Sequence, residues 1–173
     1  MPKIIENVRE LLLETAKEQI RLQGYSKTTI RSVASACGLG VGTVYNYFKS
    51  KNMLIATFML EDWRECLKEM KSHSSTEVEV VLKGIYLSLQ SFMQKHQALF
   101  SDIDAAKVFA TVFNERHKQL REQLAEIILP ICDNSRAENK GFLAEFIADA
   151  LLTWTVEGKP FEELSSIIGL LLK

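Results

Sequence analysis

The chain has 173 residues, 47% hydrophobic and 25% charged, with a net charge of −1. That length holds one or two domains with a sizeable core, and that composition excludes a disordered, collagen-like or disulfide-scaffold protein. Cys37, Cys66 and Cys132 are odd in number and far apart, so no disulfide framework is expected.

The N-terminal stretch carries Glu6, Glu10 and Glu14 among its apolar residues and shows no small-residue cleavage site. No signal peptide is therefore expected, and a cytoplasmic location is. No apolar run has the length of a membrane span. Apolar groups at Ile4, Val8, Leu11, Leu12, Ala16 and Ile20 form one stripe at helical spacing, which predicts a helix over 4–22. Arg9, Glu10, Glu14, Lys17, Glu18 and Arg21 fall on its other side, and Gly24 is placed to stop it.

The next helix is expected from 27 or 28, with Ile30, Val33 and Ala34 as its buried face. Gly38 ends it, Leu39 plugs the turn, and a third helix follows over about 41–48. Lys49, Ser50, Lys51 and Asn52 make a polar break in which Ser50 is a good N-cap. A longer helix over 52–70 carries Leu54, Phe58, Trp63, Cys66, Leu67 and Met70. After a polar loop, Thr76 and Glu79 are spaced as a capping box for an amphipathic helix over 78–96.

Residues 98–132 divide less readily. Ser101, Asp102 and Asp104 suit a helix start, and Val108, Phe109, Val112 and Phe113 suit burial. A stripe of Leu120, Leu124, Ile127 and Ile128 runs up to Pro130, which ends or kinks the helix. Two helices close the chain, over 141–157 and 160–172, separated at Gly158, with Pro160 in a first-turn position. No segment alternates as a strand does. The fold class expected is all-α, with about nine helices.

Residues 28–51 carry the chemistry. A short helix, a glycine turn and a second short helix are the parts of a helix-turn-helix that places its second helix in the major groove. Gly42 leaves the start of that second helix bare, so its backbone can approach DNA. Thr43 suits a phosphate or a thymine methyl, Tyr45 and Tyr47 reach phosphates through their hydroxyls, and Asn46 suits an adenine edge. Lys51 adds a positive charge, and Thr28, Thr29 and Arg31 in the preceding helix suit the DNA backbone. Charge supports this: residues 1–51 hold eight Lys and Arg against four Glu, or +4, whereas 52–173 sum to −5.

Here the sequence resembles a known family. Residues 36–54, ACGLGVGTVYNYFKSKNML, together with Gly24 and Thr28, are similar to the N-terminal domain of TetR-family transcriptional regulators. The likeness covers about residues 10–58. It implies a three-helix DNA-binding domain over 1–51 followed by a helical ligand-binding and dimerisation domain over 52–173. It places the DNA contacts on Thr29, Arg31, Val41, Gly42, Thr43, Tyr45, Asn46, Tyr47 and Lys51, with Phe48 tying the reading helix to the core. One departure stands out. Relatives often have a serine cap where this chain has Gly40, a tolerated cap that offers no side-chain phosphate contact.

The remaining residues admit two readings each. Phe58, Trp63, Tyr86, Phe92, Phe109 and Phe113 are either plain core or the lining of an apolar ligand pocket. His73, His96 and His117 lack metal-ligand spacing and suit surface or capping roles, so no metal or other cofactor is expected. Cys66 and Cys132 suit inert thiols. The last two helices are apolar on more than one face, and Leu143, Phe146, Ala150, Trp154, Leu164, Ile168 and Leu171 are candidates for a dimer interface, with Leu143 and Ile168 taken as outward. No nucleophile elbow, phosphate loop, catalytic carboxylate pair or zinc-protease motif occurs, so an enzyme is not expected. The resemblance implies a homodimeric bacterial repressor on a palindromic operator, released by a small-molecule ligand. The alternative is a protein of the same fold that acts mainly on protein partners, with DNA binding secondary or absent.

Overall fold

The structure, a computed structural model, describes residues 7–73, 75, 77–133 and 135–172, and of 109–117 the backbone alone. Among the described residues there are nine helices and no strand. They are α1 (Val8–Lys27), α2 (Ile30–Ala36), α3 (Val41–Tyr47), α4 (Lys51–Ser72), α5 (Val78–Lys95), α6 (Gln97–Phe100), α7 (Ile103–Cys132), α8 (Lys140–Val156) and α9 (Phe161–Leu171). The chain forms two compact units. One comprises Met1–Trp63 with His96–Val108, and the other Arg64–Lys95 with Phe109–Lys173.

In the first unit, α1 buries Leu12, Ala16 and Ile20 of the predicted stripe, buries Leu13 in addition, leaves Leu11 exposed, and packs against α2 and α6. Gly24 breaks the helix with φ 82 and ψ 172, a conformation that β-carbon-bearing residues rarely adopt. Thr28 does not begin α2. It is fully buried, and its hydroxyl donates to the Gly24 carbonyl at 2.9 Å. Thr29 is the N-cap instead: its Oγ1 accepts from Ser32 N at 3.0 Å, and Ser32 Oγ accepts from Thr29 N at 2.9 Å. Gln19 extends this cap from α1, since Ser32 Oγ lies 2.6 Å from its Oε1.

The turn between α2 and α3 closes on Gly38 at φ 67. Gly38 N donates to Ser35 O at 3.1 Å and Leu39 N to Ala34 O at 2.9 Å, the paired bonds of a Schellman closure. The site of a Cβ on Gly38 is open space, so only the backbone opposes substitution. Gly38→Ala is therefore expected to cost about 1–2 kcal/mol in urea denaturation. A loss near zero would show that the turn tolerates another backbone geometry.

α3 has no side-chain cap, and its N-cap is Gly40. A seven-residue helix of this kind is not stable alone. It is held by Val44 and Phe48, one turn apart and 0% and 3% exposed. Ser50 then caps α4, accepting from Met53 N at 3.1 Å.

The second unit buries Met70, Leu82, Ile85, Leu89, Leu124, Ile128, Ile147, Leu151, Leu164 and Ile168. α5 packs on α8 and α9, and α8 on α9. The ring of His73 sits where a Cβ on Gly84 would be, 2.8 Å from that position, so glycine admits it to the face of α5. Cys66 is buried with Sγ 3.4 Å from the Ser88 carbonyl, and burial, aided by Glu69, pushes its thiol up to about 12. Such a thiol carries almost no nucleophilic thiolate.

Several boundaries differ from those read in the sequence. α7 runs through Pro130 to Cys132. Proline donates no bond to the Glu126 carbonyl, and the helix ends two residues later. Pro160 is the N-cap of α9 and not a residue of its first turn. α6 was not expected at all: four residues are too few to show a period. The expected capping residue Thr76 lies outside the described residues.

Candidate nucleic-acid interface

On α3, Val44 takes the inward face, so its neighbours point elsewhere. Val41 and Thr43 are half-buried, and Gly42, Asn46, Tyr45 and Tyr47 are exposed, the two tyrosines at 45% and 46%. Large aromatics standing in solvent on a short helix are not there for the core. Their hydroxyls, the Asn46 amide and the Thr43 hydroxyl are groups that bond phosphates and base edges. Arg31 and Thr29 on the adjoining α2 are exposed, as is Lys49. The structure thus brings eight of the nine expected DNA contacts to α3 and the first turn of α2.

The ninth, Lys51, is placed differently. It is half-buried, and its Nζ donates to the Tyr25 carbonyl at 2.9 Å while lying 3.5 Å from the centroid of the Tyr25 ring. Burial lowers its pKa below that of a free lysine, although Asp102 and Asp104 pull the other way. Tyr25 is fixed at both ends. Its hydroxyl donates to Asn52 Oδ1 at 2.8 Å, and its backbone N–H donates to Asp102 Oδ2 at 3.2 Å. Thr28, also expected at the DNA backbone, is removed from it by burial.

The first unit also holds an ionic cluster that the sequence did not reveal. Lys17 Nζ lies 3.0 Å from Asp62 Oδ1, and His96 Nε2 lies 3.1 Å from Asp62 Oδ2. His96 is 5% exposed and stacks on Phe58 with ring centroids 5.9 Å apart. The expectation of a surface histidine fails here because α6 folds back on α1 and α4 carries an acid to meet it. Spacing within one helix gives no signal of such a meeting.

The family model for "Bacterial regulatory proteins, tetR family" matches residues 12–57, from the middle of α1 into α4. Residues 12–57 are a TetR-family DNA-binding domain. A relative of this chain is the uncharacterized HTH-type transcriptional regulator YhgD of Bacillus subtilis. The two are 32% identical over 99 residues, 57% of this chain and 46% of that protein. The match therefore spans less than half of that relative. A second is the fatty acid metabolism regulator protein of Bacillus subtilis, 24% identical over 88% of this chain and 70% of that one. Among solved structures, the fatty acid degradation regulator FadR from Bacillus halodurans has the same fold, with a TM-score of 0.67 at 18% identity over 98% of this chain and 96% of that one.

Beyond the matched segment, the fold divides the residues expected at a ligand site. Phe58 and Trp63 lie in the first unit, 1% and 5% exposed, while Tyr86 and Phe92 lie in the second, Tyr86 buried and Phe92 half-buried. Tyr86 donates its hydroxyl to the Lys159 carbonyl at 2.5 Å and meets the Phe161 ring. The side chains of Phe109 and Phe113 lie outside the described residues.

The expected interface residues also divide. Leu143, Leu164 and Ile168 face the interior, 7%, 3% and 1% exposed, so the outward assignment of Leu143 and Ile168 is corrected. Ala150 and Trp154 are half-buried. The Trp154 ring lies 4.3 Å from the Lys159 ammonium, and its Nε1 is buried without a hydrogen-bond partner among the described residues. The outward row is Phe142 and Phe146 on α8, with Ile167, Leu170 and Leu171 on α9, 40–70% exposed. The shift follows from register: α8 is apolar nearly all round, so composition could not say which face turns inward.

No helix among the described residues is long and apolar enough to cross a membrane, and no cluster of His, Cys, Asp or Glu there could hold a metal ion.

Proposed function

We propose that the protein is a sequence-specific DNA-binding transcriptional repressor that works as a homodimer and leaves its operator on binding a small molecule. The observation that carries the DNA reading is the exposed Tyr45, Asn46 and Tyr47 beside a half-buried Thr43, on a helix whose buried residues are Val44 and, at its C-cap, Phe48. Such a helix is presented rather than packed. Two copies, joined through the outward faces of α8 and α9, would read the half-sites of a palindrome about one helical turn apart.

The ligand falls to the second unit. The buried Trp154 indole offers a donor to a ligand oxygen, and an unpaired buried donor is costly enough to reward one. The names of two relatives concern fatty acids. Long-chain fatty acids and their thioesters are accordingly the first compounds to test.

Selection of bound duplexes from a random pool, followed by a mobility shift, tests the reading. A palindromic site is expected. Tyr47→Ala should weaken it about 5- to 100-fold, and Arg31→Ala should reduce the salt slope by about one. Both side chains are exposed, so neither change should alter the thermal unfolding. Absence of any salt-sensitive, sequence-selective shift would sink the proposal. Release of the duplex by an acyl compound, without unfolding, would support the ligand assignment.

A further inference from the structure

We propose that Asp102 and Asp104, at the start of α7, hold the Lys51 ammonium withdrawn against Tyr25, so that the first turn of α7 sets how available Lys51 is to a DNA phosphate. This rests on the DNA-binding reading. The geometry is a short chain of contacts within the first unit. Asp102 Oδ1 accepts from the backbone amides of Asp104 and Ala105, both at 3.0 Å, which seats it as the cap of α7. Its Oδ2 faces the other way and accepts from Tyr25 N. Asp104 Oδ2 accepts from Ser26 Oγ at 3.0 Å. The end of α1 is thereby pinned to the start of α7, and Tyr25 presents its carbonyl and ring to Lys51.

A lysine that neutralises a phosphate must bring its ammonium to the DNA surface. Here that ammonium already has a carbonyl, an aromatic face and two carboxylates that favour its charge from within the protein. The backbone amides around Asp102 hold its carboxyl well below the usual carboxylate range, the amide of Ala105 foremost, so it stays ionised. Phosphate therefore competes with acids of the same chain for one cation. α7 runs on to Cys132, so its first turn is the start of a thirty-residue helix. A displacement of that helix would change the competition without touching the reading helix.

The test uses the full chain and a labelled mixed-sequence duplex of about three helical turns, because a phosphate contact is independent of sequence. Asp104→Asn keeps the acceptor for Ser26 and removes the charge. It is expected to tighten binding about two- to fivefold at low salt. The deciding step is the double-mutant cycle with Lys51→Gln. The gain from Asp104→Asn should vanish in that background. A gain that persists there would mean general repulsion between the acids and DNA, and would overturn the proposal, as would no gain at all. If the wild-type chain shows no salt-sensitive binding, the DNA reading itself fails and this inference falls with it.

Discussion

Phe58→Ala is expected to destabilise the first unit by about 3–5 kcal/mol. The side chain is 1% exposed, lies nearly parallel to the His96 ring at an interplanar angle of 10°, and has the Lys17 ammonium 5.8 Å from its centroid. Truncation removes the transfer energy of a full aromatic and leaves a void beside an ionic cluster that cannot collapse without bringing charges together. Urea denaturation followed by tryptophan fluorescence reads the loss, because Trp63 belongs to the same unit. DNA binding should disappear at temperatures where the mutant unit is unfolded and return on cooling. A loss below about 1 kcal/mol would indicate a side chain lining open space, as one reading of the sequence had it.

The second large effect is at α8. Phe142 and Phe146 are one turn apart and 66% and 50% exposed. Replacing both with glutamate places charges where the proposed partner subunit would bury them, and should turn the dimer into a folded monomer. Sedimentation at micromolar concentration reads the mass, and circular dichroism should stay unchanged. Operator affinity should drop by about 100-fold or more, because two linked heads bind far more tightly than one. Leu143→Glu or Ile168→Glu would behave otherwise. Both side chains lie inside the protomer, so the chain would lose its fold together with its dimer. A wild-type chain that sediments as a monomer, or a double mutant that remains a dimer, would remove this face from the interface.

Helices α1 to α4 were legible because their signals are local. The stripe of Leu12, Ala16 and Ile20, the glycine at 38 and the Ser50 cap each lie within one turn of the element they define. The exposed tyrosines of α3 were legible for the same reason: Val44 and Phe48 leave them no inward place. What escaped is long-range. Asp62 and His96 are far apart in sequence and meet only through the packing of α6, and nothing near Lys51 announces Asp102. The inward register of α8 escaped for a different cause. A helix with apolar residues on every side has no moment to read, and its orientation is decided by α5 and α9.

The first unit is assembled from two stretches of chain with α5 intervening. Translation delivers these parts out of order. When Trp63 leaves the ribosome, α3 has been made, but His96, which meets Asp62, and Asp102, which accepts from Tyr25 N, are still to be synthesised. The nascent chain must extend past residue 102 before Tyr25 N meets its acceptor. A gene fragment cut after α4 would encode every candidate DNA contact and still lack the pieces that close the unit around them. On the proposed DNA reading, the complete head therefore includes a segment that carries none of the candidate contacts.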